Sequence, residues 1–232
     1  MPTAGLRVVA LGPVLCLACG VAFAQAGGSI AFLSDYRYRG VSLSDDRPTL
    51  RLGLGYDHPS GWFAGASLAG VSLGPYARGQ VQVLGYAGYA GRLSDRIGWE
   101  AGATGVHFGA DSYYDYGEVF TGLNGERWSM RLHYSPDYFG SGARTLYGEF
   151  NVGLPLSPLI RVTAHAGALQ RIGGVRTEGN EPSLDGSLGL AIARDAWEVR
   201  LEWVGGDRSA VYPTLYGHGS RGGLVLTAAI SF

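Results

Sequence analysis

Charged side chains recur in this chain at every second position of short apolar runs, and such spacing suits ion pairing or solute selection inside an enclosed space. The clearest run is Trp197-Glu198-Val199-Arg200-Leu201-Glu202-Trp203, in which odd positions are apolar and even positions charged. Read the same way, Arg37, Arg51, Glu100, Arg131, Glu149, Arg161, Asp185, Arg200 and Glu202 project to one side of their segments, together with Asp35, Asp57 and Glu198. Guanidinium and carboxylate groups so placed either pair across neighbouring strands and fill an interior, or line water and set a field that sorts solutes. A buried charge without a partner is very costly, so each must be paired or wet. The same positions include Gly53, Gly55, Gly102, Gly153, Gly167 and Gly189, which leave room for water or arginine stems and favour a narrow aqueous path.

Other chemistry finds little footing. His133 shares a face with Ser129, but four extended residues separate them by roughly 13 Å, too far for a nucleophile and its base. His165, near Thr163, reads as a hydrogen-bonded interior histidine; His58 lies at a turn, His107 near a strand end and His218 in a long loop. No HxxE or HExxH spacing occurs, and we expect no catalytic residue, no metal site and no cofactor.

The elements that must carry these side chains are β-strands. A helix would spread apolar and charged residues around its surface, whereas period two separates them onto opposite faces. Candidate strands fall near 29–38, 49–58, 62–73, 80–93, 97–109, 114–123, 127–135, 145–154, 159–170, 183–193, 197–205 and 221–232. That is about twelve, and the connections alternate between short turns and longer loops, the layout of a bacterial transmembrane antiparallel β-barrel. Short turns are Pro59-Ser60-Gly61, Ser94-Asp95-Arg96, Asn124-Gly125-Glu126, Pro155 to Pro158 and Arg194-Asp195-Ala196, all rich in turn formers. Trp62, Trp99, Trp128 and Trp197 each follow a short turn, as an interfacial aromatic ring requires. Tyr36, Tyr38, Tyr76, Tyr113, Tyr134 and Trp203 would form the opposite ring. In hydrocarbon an open sheet edge leaves backbone groups unsatisfied, so the first strand must pair with the last.

The flanks agree with this fold class. Residues 1–24 hold Arg7, an apolar stretch and Ala22-Phe23-Ala24, the pattern of a cleaved signal peptide; the barrel then occupies 25–232. Both cysteines, Cys16 and Cys19, fall inside the signal. The final run Leu224, Leu226, Ala228, Ile230 ends at Phe232, which suits a lipid-facing closing strand and its engagement by the barrel-assembly machinery. The formal charge of −1 gives no footprint for nucleic acid. Every basic residue is arginine, through compositional bias or because arginine suits paired interior positions.

One segment carries a family resemblance. Leu33-Ser34-Asp35-Tyr36-Arg37-Tyr38-Arg39-Gly40-Val41-Ser42, followed by Ser44-Asp45-Asp46-Arg47-Pro48 and by Gly55-Tyr56-Asp57-His58-Pro59-Ser60-Gly61-Trp62-Phe63-Ala64-Gly65, resembles the opening of the TorF-type porins, a proteobacterial family of unknown function. Gly85-Tyr86-Ala87-Gly88-Tyr89 fits the same pattern. The resemblance implies an outer-membrane barrel and a porin, and transfers no site residue. By alternation, Asp35, Arg37 and Arg39 point inward while Tyr36 and Tyr38 reach the lipid headgroups. The inward charges form either an ion pair anchoring the first strand or a solute contact at the mouth.

The expected function is passive diffusion of small hydrophilic solutes across the bacterial outer membrane, in contact with outer-membrane lipids. Two other readings stay open: a non-conducting barrel with a structural or surface-binding role, and an enzyme acting on lipids. The loop Gly205 to Ser220, with Asp207, Arg208, Tyr212, Tyr216 and His218, either folds into the mouth as a constriction or stays on the surface.

Overall fold

Strand β13, Trp197–Gly206, shows why this sequence makes a barrel. Trp197, Val199, Leu201 and Trp203 are exposed on its outer side, while Glu198 and Arg200 are buried on its inner side. A soluble protein would reverse this distribution; a hydrocarbon surround demands it. The computed structural model describes residues 25–73, 79–109, 112–174, 181–207 and 221–232. The expected signal segment 1–24 lies outside them, as do Tyr76, Arg208, Tyr212, Tyr216 and His218.

Twelve antiparallel strands form one closed barrel. They are β1 (Gln25–Leu33), β4 (Thr49–Asp57), β5 (Trp62–Val71), β6 (Gln80–Arg92), β7 (Gly98–Phe108), β8 (Tyr116–Asn124), β9 (Trp128–Ser135), β10 (Ala143–Pro155), β11 (Ile160–Gly174), β12 (Ser183–Arg194), β13 and β14 (Gly222–Ser231). Each pairs with its neighbours in sequence, and β1 closes on β14 from Ser29 opposite Ser231 to Leu33 opposite Thr227. Backbone bonds between Gly28 and Phe232 extend that seam. The period-two reading thus holds around the whole wall.

One set of aromatic contacts lies at the end with the short turns. Trp62 meets Tyr89 edge to face at 5.4 Å, Tyr89 meets Trp99 at 5.9 Å, and Trp128 stacks on Phe150 at 6.2 Å. Phe232 lies over Gly28, where an added Cβ would come within 2.5 Å of its ring.

The first strand departs from expectation. The sequence reading runs it to residue 38 and sends Tyr36 and Tyr38 toward headgroups. Instead β1 ends at Leu33, and the chain turns into the lumen to form a small hairpin of β2 (Arg37–Tyr38) and β3 (Val41–Ser42). Arg39 and Gly40 form its two-residue turn with φ of 49° and 76°, the left-handed pair that tight hairpins require. Tyr36 is buried and donates its hydroxyl to Gln82 on β6 at 2.8 Å. Tyr38 packs inside with it. The reason is burial: both faces of this ribbon meet protein, so alternation no longer separates lipid from lumen. A second excursion, the 3-10 turn Tyr138–Gly140 between β9 and β10, places Tyr138 and Phe139 fully buried beside the hairpin. At β8 the strand begins at Tyr116 rather than 114, after a 3-10 turn at Ser112–Tyr114.

Candidate functional site in the barrel lumen

Period two delivers charged side chains from β7 through β13 to the same enclosed space. On one wall Arg131 of β9 pairs with Glu100 of β7 across the intervening Gly122 of β8, whose missing side chain lets the two meet. On the other, Arg161 of β11 pairs with Glu198 of β13, and Arg200 reaches Glu198 at 2.7 Å and Glu202 at 3.6 Å. Glu202 also accepts from Thr163 at 2.9 Å. Arg51 projects inward from β4, in the field of Tyr36 and Tyr86.

Above these pairs lies a polar cluster. His165 faces Asn151 through Nδ1 and Asp185 through Nε2, both at 2.7 Å, and the Tyr147 hydroxyl donates to Asp185 at 3.2 Å. Both ring nitrogens of His165 are thereby engaged, and the Tyr147 hydroxyl also lies 3.2 Å from Nε2. His133 lies between Glu118 and Glu149, at 3.5 and 3.8 Å. His58 meets Ser60 within its own turn, accepting from the Ser60 backbone N–H at 3.2 Å, which shapes the turn.

Arg37 is the one predicted lining residue that does not sit on the wall. It belongs to the hairpin, where it pairs with Asp35 at 2.6 Å and Asp46 at 2.8 Å and donates to the Gly40 carbonyl at 3.2 Å. Its work is to hold the excursion together, because a chain that leaves the sheet must satisfy its polar groups locally. Asp35 is further held by the hydroxyls of Ser42 and Ser44.

The hairpin crosses the lumen. Arg39 donates two 2.7 Å bonds to the two oxygens of Glu118 on β8. Its guanidinium carbon lies 4.0 Å from the Tyr147 ring centre, 4.9 Å from Tyr38 and 5.3 Å from Tyr138. Burial pulls the Arg39 pKa down, but the charge of Glu118, the neighbouring Tyr138 and Tyr38 and the hydrogen bonds to Glu118 together more than offset this, and the group ends well above its ordinary value. Gly40 at the tip lies against the far wall: a Cβ there would approach Asp185 Cβ, the Gly205 carbonyl and Gly206 Cα, each to 2.9 Å. Leu43, Phe108, Tyr138, Phe139 and Tyr147 pack around it, so this half of the lumen is filled by aromatic and aliphatic side chains.

Glu118 and the interior aromatics Phe63, Tyr86, Phe120 and Tyr147 were not in the sequence-derived set. A signal exists in Tyr116, Glu118, Phe120 and Gly122, which share one parity, but an interior expected to be polar gives no reason to place rings there. Nor do the inward glycines serve water or arginine stems alone. An added Cβ at Gly102 would meet Phe120, one at Gly167 the Tyr147 hydroxyl and Asp185, and one at Gly189 the Glu202 stem.

Comparison with known proteins agrees on the architecture. The KdgM porin superposes with a TM-score of 0.56 at 10% identity, covering 90% of this chain and 98% of its own. The NanC porin gives 0.58 at 14% identity, covering 90% and 99%. A structure of KdgM in complex with disordered oligogalacturonate gives 0.52 at 10%, covering 90% and 98%. These likenesses establish the porin-type fold. No curated protein matches the sequence. The model of a family described as "Bacterial protein of unknown function (Gcw_chp)" matches residues 20–227.

Proposed function

The chain belongs to the Gcw_chp family of bacterial proteins of unknown function, and from that premise we propose that it is an outer-membrane channel passing small hydrophilic solutes by passive diffusion. The observation that carries the reading is the ionic lining inside a lipid-facing barrel: Glu100 with Arg131, and Arg161 and Arg200 with Glu198 and Glu202. A barrel of this strand number lies between the roughly eight strands that side chains fill and the sixteen to eighteen that leave a wide channel, which suits a narrow path. The resemblance of the opening segment to TorF-type porins supports the same role, as does the fold shared with KdgM and NanC.

Arg51, Glu149 and Asp185 join the paired residues as the lining of the path, and Arg37 acts on it through the hairpin. KdgM, which shares this fold, has a structure in complex with disordered oligogalacturonate, a polyanion. Here Arg131, Arg161 and Arg200 of the wall are committed to carboxylates, so small neutral or zwitterionic solutes suit this lumen better than polyanions. Residues 1–24 act as the export signal, and the barrel-assembly machinery engages β14 with its terminal Phe232.

A closed, structural barrel is the second reading, favoured by the hairpin that crosses the lumen. Recording from purified protein in planar lipid bilayers separates the two. Discrete conductance steps that vanish on heat denaturation support the channel, and a silent membrane containing folded protein supports the closed barrel. Turnover of lipid by the same preparation would replace both with an enzyme.

A further inference from the structure

The partner that Arg39 has found is a complete recognition site in its own right. Glu118 on β8, Tyr147 on β10 and Tyr138 in the turn before β10 belong to the wall or to a different loop, so their arrangement does not depend on the hairpin for its chemistry. Glu118 presents both oxygens side by side and accepts two parallel N–H groups at 2.7 Å, the fork geometry of a planar guanidinium. Tyr147 offers its face at 4.0 Å to the same plane. An ammonium would use one carboxylate oxygen and present no plane to the ring.

One feature opposes the seating of Arg39: its backbone is left-handed, with φ of 49°, a region that side chains other than glycine rarely adopt. In contrast, the carboxylate of Glu118 is 2% exposed and cannot be left alone: whatever displaces Arg39 must bring a cation of matching shape. His133, 3.5 Å away, offers that carboxylate a single N–H and no second parallel donor.

We infer that the Glu118–Tyr147–Tyr138 socket is a binding site for guanidinium-bearing solutes, with Arg39 as its tethered occupant. A free guanidinium that takes the place of Arg39 releases the hairpin from the β8 and β10 side of the lumen. In a protein that conducts, this makes the solute its own opener; that second step rests on the channel reading, while the binding site does not.

Calorimetric titration of the detergent-folded protein with methylguanidinium tests the site. Arg39→Ala empties the socket and should bind with an affinity on the order of millimolar, as suits so small a ligand. The unmodified protein should bind at least about tenfold more weakly, because its site is occupied from within. Adding Glu118→Gln to Arg39→Ala should abolish binding; equal binding by the single and double variants overturns the inference. If circular dichroism shows that Arg39→Ala does not fold, Gly40→Val serves instead. It keeps every socket residue but excludes the tip from its seat, so binding should tighten over the unmodified protein, and no tightening overturns the inference. In bilayers, methylguanidinium should lengthen openings of the unmodified protein and leave Arg39→Ala unaffected. Binding with silence in every bilayer would remove the channel and leave the site; conductance without binding in any variant would remove the site and leave the channel.

Discussion

Arg39 and Glu118, 79 residues apart in sequence, are joined by two parallel hydrogen bonds of 2.7 Å inside the lumen. One belongs to a turn that has left the wall and the other to the wall itself. The fork therefore fixes how far the hairpin reaches across the barrel. Both side chains are almost wholly shielded from solvent, which makes each dependent on the other.

Removing one member should show that dependence. Glu118→Gln leaves a buried guanidinium without its countercharge and is expected to cost about 3–5 kcal/mol. The double variant Arg39→Met, Glu118→Leu should recover most of that loss, because apolar side chains of similar volume often replace a buried pair at little cost. Urea midpoints for refolding into lipid vesicles provide the comparison, and equal midpoints for Glu118→Gln and the unmodified protein would remove the fork from the stability of the plugged half.

The wall pairs should set ion preference. In Arg131→Glu, Glu100 faces a second carboxylate instead of a cation, and in Arg161→Glu, Glu198 gains a carboxylate neighbour while keeping Arg200. Reversal potentials under a salt gradient should shift toward cation selectivity in both. An unchanged potential in both would take these residues out of the path.

The exterior can be tested without any solute. Leu201 lies midway along β13 on the lipid side. Leu201→Arg is expected to destabilise the inserted barrel by about 2–4 kcal/mol, the usual effect of a cation near the bilayer midplane. A neutral result in vesicle refolding would argue that this face does not meet hydrocarbon.

Alkaline titration reports on the hairpin. Burial raises the Tyr36 and Tyr38 hydroxyl pKa values above the ordinary range of a phenol. A raised value in the folded state means that the neutral phenol is favoured there, so its contribution to stability is complete below the unfolded pKa of about 10 and declines as pH rises beyond it. Ultraviolet titration should find a set of buried tyrosines, Tyr36 and Tyr38 among them, that stay neutral past that point until the barrel unfolds. Simultaneous ionisation of all tyrosines would place these two in solvent.

The wall was legible in the sequence because a single variable decides it. Between lipid and lumen, Trp197, Leu201 and Trp203 have one acceptable side and Glu198 and Arg200 the other, so parity alone assigns them. The hairpin was not legible for the complementary reason. Asp35 to Arg39 keeps its alternation after Leu33, but Tyr36 and Tyr38 pass from the wall into a space enclosed by protein on all sides, where parity separates nothing. The charge on Arg37 correctly signalled an inward residue with an acidic partner; that the pair belongs to the hairpin depends on the left-handed turn at Arg39 and Gly40. Glu118 escaped notice because its inward neighbours on the strand, Tyr116 and Phe120, are aromatic, and their places are made by glycines and by the second excursion far along the chain.

The seam between β1 and β14 has five aligned pairs, fewer than any other ladder of the wall. β1 also runs straight into the hairpin, so the strand that makes the thinnest joint is the same one that tethers the plug. Any pull that draws the hairpin out along the axis therefore loads that joint first. Mechanical extraction of the hairpin should thus open the cylinder at the β1 to β14 joint before any other ladder parts.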